Sequence, residues 1–296
     1  MEPAKGSYLL VTPFKNESSM LEGLFTSVIS QKLRPMLWMV MDDGSKDDGF
    51  EKAKALAKGR GWISVVTRSE VENPHWLRYG SAVSYGVAEA VRSATVVVLA
   101  PAYLAVLDAD TTVDPSYFEK LVQAVDSDPK AAIASGMITT EGGGGLEKRP
   151  SPRGCARLYR RDFLDGVGGF PATAAPDTVL EIKALNRGLK FVVVNEVTGL
   201  HRRKSSQITG SAGLRSRGVI RYVLGMDFIS AIMWAIVYAR AVGCQASMGF
   251  FAGYIEGMRK SYQRIQDTEV RRFYSGSWRR FISRSETRTA IQDLLR

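Results

Sequence analysis

Tyr103-Leu104-Ala105-Val106-Leu107-Asp108-Ala109-Asp110 is an apolar run that stops on two carboxylates flanking one small residue. The run reads as a strand. Pro101 lies just upstream, so Ala94–Ala100 and Tyr103–Leu107 read either as two strands or as one broken strand. Further upstream, Tyr8-Leu9-Leu10-Val11-Thr12 ends at Pro13 with the profile of a buried parallel strand. Met20, Leu21, Leu24, Val28 and Ile29 then recur at helical spacing between Ser18 and Gln31. Leu37–Met41 is a second buried strand, and it stops at the turn sequence Asp42-Asp43-Gly44-Ser45. Helices follow over Phe50–Lys58 and Gly80–Val91, with a strand over Ile63–Val66 between them. Downstream of the quoted run come a helix over Tyr117–Val125 and strands over Ala131–Ser135 and Phe191–Asn195.

Strand and helix alternating in this way predict an α/β fold: a mostly parallel, Rossmann-like sheet with helices on both faces. Sites in such sheets form outside the carboxyl ends of the strands. Asp42-Asp43 and Asp108-Ala109-Asp110 both fall at those ends. Two carboxylates as close as Asp108 and Asp110 repel unless a cation lies between them, and oxygen ligands favour Mg²⁺ or Mn²⁺. The alternative is an Asp-rich turn, with Asp114 as N-cap of the helix that starts near Pro115. A carboxylate at Asp42 or Asp43 can accept a hydrogen bond from a ring N–H of uracil or guanine, or it can brace its own turn.

Composition narrows the partners. The chain has 296 residues, 45% hydrophobic and 24% charged, which suits globular structure. A net charge of +10 and a pI near 9.6 call for an anionic partner: nucleic acid, a membrane surface or a phosphate-bearing small molecule. Cys155 and Cys244 have no metal-ligand spacing and make no disulfide framework, so a reducing compartment is expected. Met1–Ser7 lacks an apolar core of signal-peptide length, and the expected location is cytoplasmic, peripheral on the inner face of the cell membrane.

The rhythm breaks at Thr140–Gly154, where four glycines precede a charged, proline-bearing stretch; this is either a lid or a plain insertion. After Gly199 the character changes again, and the domain boundary is placed at 205/206. His201-Arg202-Arg203-Lys204, Arg215, Arg217 and Arg221 form a basic stretch, followed by an apolar region over Met226–Gly257 interrupted at Arg240. Phe228–Ala239 is short of the ~20 residues of a membrane span. A helix lying in the interface suits it better, with Phe228, Met233, Trp234, Tyr238, Phe250, Phe251 and Tyr254 as anchors. A basic, aromatic-bearing tail from Arg259 onward suits anionic headgroups. Residues 206–296 are thus read as a helical, membrane-associating extension.

Three segments together carry a resemblance: Thr12-Pro13-Phe14-Lys15-Asn16-Glu17, Met41-Asp42-Asp43-Gly44-Ser45-Lys46-Asp47-Asp48 and Val106-Leu107-Asp108-Ala109-Asp110. In order and spacing, residues 7 to about 200 resemble family 2 glycosyltransferases of the GT-A fold. The resemblance implies that Pro13, Glu17 and Asp42 or Asp43 surround the base and ribose of a nucleotide-sugar donor. Asp108 would contact the donor, and Asp108 and Asp110 would hold a divalent metal. Glu72-Asn73 and Gly80–Gly86 are similar to the family's donor segment, with Val83-Ser84 where the family has Arg-Asn. Gly154–Phe170 looks like the acceptor-side strand and turn. Asp177 occupies the position of the catalytic base, with Pro176 replacing the preceding acidic residue; otherwise Asp177 caps its helix. His201 falls where a further metal ligand is placed, or else in a solvated basic turn. Arg202 and Arg203 would neutralise the diphosphate or an acceptor phosphate. His75 reads as a loop residue.

The expected activity is inverting transfer from a UDP- or GDP-sugar to a glycan or lipid-phosphate acceptor, such as a polyprenyl phosphate or a lipid-linked glycan. Two other readings compete. A nucleotidyltransferase shares the carboxylate-metal logic but needs a Gly-rich phosphate loop that Pro13-Phe14-Lys15 is not. A basic nucleic-acid-binding protein would rest on the C-terminal tail alone, and no nucleic-acid partner is expected.

Overall fold

A computed structural model of the chain describes residues 4–69, 71–96, 100–141, 154–202 and 211–281. It divides into two compact units, Met1–Ala172 with Pro176–Lys204, and Thr173–Ala175 with Ser205–Arg296.

The first unit is built on an eight-stranded sheet. Its strands are β1 (Ala4–Phe14), β2 (Leu37–Asp42), β3 (Ile63–Thr67), β4 (Pro101–Leu107), β5 (Thr111–Val113), β6 (Ala131–Thr140), β7 (Ala156–Arg160) and β8 (Lys190–His201), in the order β3-β2-β1-β4-β7-β6-β8-β5. β3, β2, β1 and β4 are parallel, and so are β6 and β8; β7 and β5 run against their neighbours. The helices are α1 (Leu21–Ile29), α2 (Gly49–Ala57), α3 (Arg78–Val96), α4 (Tyr117–Ser127), α5 (Arg161–Gly166) and α6 (Pro176–Asn186).

Strand alternation explains the two cores. On β1, Tyr8 and Leu10 join the core under α1 and α4, whereas Leu9 and Val11 join the core under α3, α5 and α6. On β4, Tyr103, Ala105 and Leu107 share the first side, and Leu104 and Val106 the second. Both faces are therefore apolar, which is why these strands read as continuous runs. Each such side chain withdrawn from water contributes roughly 1.5–3 kcal/mol. One polar exception is satisfied: the buried Trp38 indole donates to Thr12 Oγ1 at 3.0 Å.

Three expectations need correction. Ala94–Val96 close α3 rather than forming a strand, and β4 begins at Pro101, a position where a missing N–H is tolerated. The last strand of the sheet runs to His201, well past Asn195, because β6 pairs with it as far as Thr140. Asp114 does not cap α4: its carboxylate accepts from Thr198 N at 2.6 Å and Thr198 Oγ1 at 2.9 Å, tying the chain after β5 to β8. β5 itself, only three residues long, is not legible in the sequence. The glycine-rich segment Gly142–Gly145 lies outside the described residues.

The second unit is helical: α7 (Ser211–Val223), α8 (Phe228–Ala241), α9 (Cys244–Arg259) and α10 (Thr268–Tyr274), then a 3₁₀ turn at Ser277–Phe281. α7 and α9 pack so closely that a Cβ at Gly253 would sit 1.9 Å from the Arg215 carbonyl oxygen, so only glycine fits there. Asp227 caps α8 by accepting from Ser230 N at 2.8 Å. The apolar region is thus two helices broken at Gly243. Three of its expected membrane anchors, Tyr238, Phe250 and Tyr254, are buried inside this unit. Part of the basic stretch is likewise spent internally, Arg215 on Glu256 at 2.7 Å and Arg221 on the Tyr274 hydroxyl. Among the described residues no helix is long and apolar enough to cross a membrane.

Candidate active site

The strand order turns back between β1 and β4, the point at which open α/β sheets form a crevice at their carboxyl ends. The residues that follow these two strands, Glu17 after β1 and Asp108 after β4, come close enough for the Glu17 charge to act on Asp108.

The loops after β1 and β2 hold one another in place. Asn16 N donates to Ser45 Oγ at 2.9 Å, and Lys46 N donates to Asn16 Oδ1 at 2.7 Å. Pro13 lies on β1 beside Met41 of β2. Asp42 and Asp43 are both buried but work differently. Asp42 braces its turn and the next strand, accepting from Ser45 N at 3.0 Å and Thr67 Oγ1 at 2.8 Å. Asp43 accepts from Arg68 Nε at 2.5 Å, in an ion pair that is about nine-tenths buried.

Asp108 follows Leu107, which faces the α4 side, so strand alternation turns its side chain toward α3. There the Tyr79 hydroxyl donates to Asp108 Oδ1 at 3.0 Å. Burial drives the Asp108 carboxyl well above the usual carboxylate range, and the charges of Asp110 and Asp177 push it further; the Tyr79 hydrogen bond opposes them. Asp110 is buried, and β5 starts immediately after it. Thr111 pairs with His201 across β5 and β8, which brings His201 Nε2 to 3.4 Å from Asp110 Oδ1.

Asp110 and His201 are thus side by side, with Asp108 two residues earlier in the chain. Among the described residues no three acidic, histidine or cysteine side chains already converge tightly enough to hold an ion. The donor set nevertheless fits a hard divalent cation that takes one or two carboxylates from the protein and its other ligands from substrate phosphates. The repulsion on Asp108 is what such a cation would relieve.

Arg202 N donates to the Asp110 carbonyl at 2.9 Å, while its guanidinium reaches Met20 Sδ and lies over Gly23 of α1. Arg203 lies outside the described residues. His75 is exposed in the loop before α3.

A second cluster of polar side chains lies on the α3 face of the sheet. Pro176 opens α6 at a position suited to proline, and Asp177 follows in the first turn. The Asp177 carboxylate accepts from the Tyr159 hydroxyl at 3.1 Å. Arg157, two residues before Tyr159 and on the same side of β7, pairs with Glu181 at 2.8 Å, one helical turn beyond Asp177. Burial raises the Asp177 carboxyl above its ordinary range, while Arg157 and then Tyr159 pull it back. Burial disfavours the Arg157 charge, but Asp177, then Tyr159 and Glu181 more than offset it, so the guanidinium stays charged. Gly154 approaches so closely that a Cβ there would meet Asp177 Oδ2 at 2.2 Å.

Tyr79, Arg68, Arg157, Tyr159 and Glu181 escaped the sequence reading. Two signals were available: an arginine inside an apolar strand, and a glutamate four residues after Asp177 between Leu180 and Ile182.

Among solved structures, the chain is similar to the mannosyltransferase PcManGT from Pyrobaculum calidifontis, determined with GDP-Man and Mn²⁺. The TM-score is 0.55 at 16% identity, over 97% of this chain and 84% of that one. It is also similar to residues 1–349 of S. aureus TarS with UDP-GlcNAc, with a TM-score of 0.56 at 11% identity over 88% and 93% of the two chains. GalNAc-T7, with UDP, GalNAc and Mn²⁺, gives a TM-score of 0.57 at 14% identity over 90% of this chain, which spans 55% of that protein. At these identities the likeness establishes the fold, the GT-A arrangement of a mixed α/β sheet. A search of curated protein sequences finds no match. The model of glycosyl transferase family 2 matches residues 9–175, more than half of the sequence, and the chain belongs to that family.

Proposed function

We propose that the chain is a metal-dependent, inverting glycosyltransferase that uses a UDP- or GDP-sugar, with the metal at Asp108, Asp110 and His201 and the base at Asp177. The observation that carries this reading is the pairing of β5 with β8. It brings His201 to 3.4 Å from Asp110, while the Asp177 charge reaches Asp108 from the start of α6.

Bound Mn²⁺ or Mg²⁺ would supply positive charge to the departing diphosphate. Asp42 and Asp43 stand at the end of β2, where a nucleobase edge would meet a carboxylate. Tyr79 orients Asp108 through its hydroxyl. Asp177 takes the proton of the acceptor hydroxyl as that oxygen attacks the anomeric carbon from the side opposite the diphosphate. The new C–O bond forms, the bond to the diphosphate breaks, and its electron pair leaves with the nucleoside diphosphate. Tyr159 orients Asp177, and Arg157 and Tyr159 oppose the rise that burial gives its pKa, favouring the charged form this step uses. Arg202, and Arg203 by its place in the sequence, would add positive charge for the diphosphate or an acceptor phosphate.

The finer part of the reading concerns the acceptor. The basic, apolar second unit supports a lipid-linked acceptor, a polyprenyl phosphate or a lipid-linked glycan, met at the inner face of the cell membrane. The test is nucleotide release from a panel of UDP- and GDP-sugars with Mn²⁺, with Mg²⁺ and with chelator. Release from at least one donor, abolished by chelator and restored by metal, is expected. Turnover indifferent to chelator, or none with any donor, would sink the mechanism.

A further inference from the structure

Exposed apolar side chains are scattered over the first unit but concentrated in the second. Among the described residues, seven of the twelve large exposed hydrophobic side chains fall between Phe228 and Met258. On α8 they form a stripe. At 3.6 residues per turn, Phe228, Ile229, Ile232 and Ile236 lie within a sector of about 100°, and each is between 39% and 58% exposed. The opposite side of α8 carries the buried Ser230, Ala231, Ala235 and Tyr238. A helix apolar on both sides is normally covered on both. The stripe is far more apolar than an ordinary solvent-facing helix surface, and its first polar neighbour is Arg240 at the carboxyl end.

Charge identifies the cover. Residues 205–296 hold fourteen Lys and Arg against six Asp and Glu, which is +8 of the chain's net +10. Arg240, Arg259, Arg271 and Arg272 are exposed. A second copy of so basic a unit would be repelled, whereas an anionic lipid surface is attracted. α8, about 21 Å long, is too short to span a bilayer and suits a position in the interface plane.

We propose that the Phe228-Ile229-Ile232-Ile236 face of α8 is an in-plane docking surface for an anionic lipid bilayer. The aromatic residues Tyr238, Phe250 and Tyr254 form the inner support of this unit instead of the anchors. This goes beyond the transferase reading by naming the face that would bring the enzyme to a lipid-linked acceptor, and it rests on that reading only for its purpose.

The full chain is pelleted with sucrose-loaded vesicles of phosphatidylcholine alone, or with about one third phosphatidylglycerol, at low and high salt. Binding to the anionic vesicles, weakened by salt, is expected. The double substitution Ile232→Gln/Ile236→Gln keeps helix propensity and is expected to weaken it at least tenfold, with nucleotide release in solution unchanged. A Phe228→Trp variant places an indole in the stripe itself, and its quenching by brominated acyl chains beyond that of the parent chain reports the same contact. A chain that stays in the supernatant, a double variant that pellets like the parent, or a lipid-free dimer dispersed by the substitution would overturn the proposal; the last would assign the face to a second copy. Donor turnover that persists through any of these leaves the transferase reading standing. Lipid binding without turnover of any donor removes that reading and keeps the face.

Discussion

Two groups of buried carboxylates in the first unit are handled in opposite ways. At the end of β4, the Asp110 charge acts on Asp108, whose carboxylate accepts from the Tyr79 hydroxyl, and His201 stands beside Asp110. At the start of α6, Asp177 has a cation supplied by the chain itself, Arg157, and a phenol to hold it. The difference separates two tasks. Carboxylates whose charges press on one another are a place for a metal and the diphosphate it carries. A carboxylate beside a built-in cation, as Asp177 stands beside the Arg157 that it shares with Glu181, is favoured in its charged form by that cation and can take a proton.

The largest test of the contrast is Asp110→Ala, which removes the carboxylate that His201 approaches. A loss of roughly 10³- to 10⁴-fold in kcat is expected, since metal stabilisation of a leaving group is worth several kcal/mol. The same variant should need far more Mn²⁺ for its residual rate. Metal dependence unchanged from the parent would break the distinction.

Asp177→Asn should act chiefly on proton transfer. Transfer to a hydroxyl acceptor is expected to fall about 10²- to 10³-fold, with donor affinity measured by calorimetry unchanged. A phosphate acceptor, already ionised, should keep most of its rate in this variant, which makes the same substitution a reading of acceptor class.

Arg157→Met sharpens the comparison by removing the built-in cation from the Asp177–Glu181 cluster. As the proposed base, Asp177 works in its deprotonated form, so activity is expected above its pKa and lost as pH falls through it. Burial already holds that pKa above the ordinary carboxylate range, and Arg157 opposes the rise. Without Arg157 the acidic limb of the pH–rate profile should move to higher pH, and Arg157→Lys should restore part of the shift. Glu181, left buried without its partner, should also cost about 3–5 kcal/mol in denaturant unfolding. A limb that does not move would leave Arg157 with a purely structural role.

How legible each group was follows from its local chemistry. Asp108-Ala109-Asp110 and Asp42-Asp43 end apolar strands, so periodicity alone located them. Their division of labour was not legible: Asp42 is spent on Ser45 and Thr67, and Asp43 on Arg68, through contacts reaching 25 residues along the chain. Tyr79 lies 29 residues from Asp108 and looks in the sequence like any helix aromatic. Pro101 was misread as a break inside a strand because both segments beside it are apolar, and α3 was free to run on to Val96. The apolar stretch after Met226 read as one membrane-facing element because hydrophobicity does not distinguish a residue packed against α7 from one facing outward.

What the sequence determined by itself is what depends on neighbours a few residues apart: alternating strand and helix, carboxylates at strand ends, and a basic C-terminal third. Tertiary structure decided what depends on partners far apart in the chain. β5 is three residues long, with too little local preference to declare itself, and it exists because β8 lies beside it. That pairing sets His201 against Asp110, as the meeting of β7 and α6 sets Arg157 and Tyr159 around Asp177. The proposed metal ligands and the surroundings of the proposed base are products of strand order, which no local pattern encodes, because hydrogen bonding and burial across the sheet choose the partners.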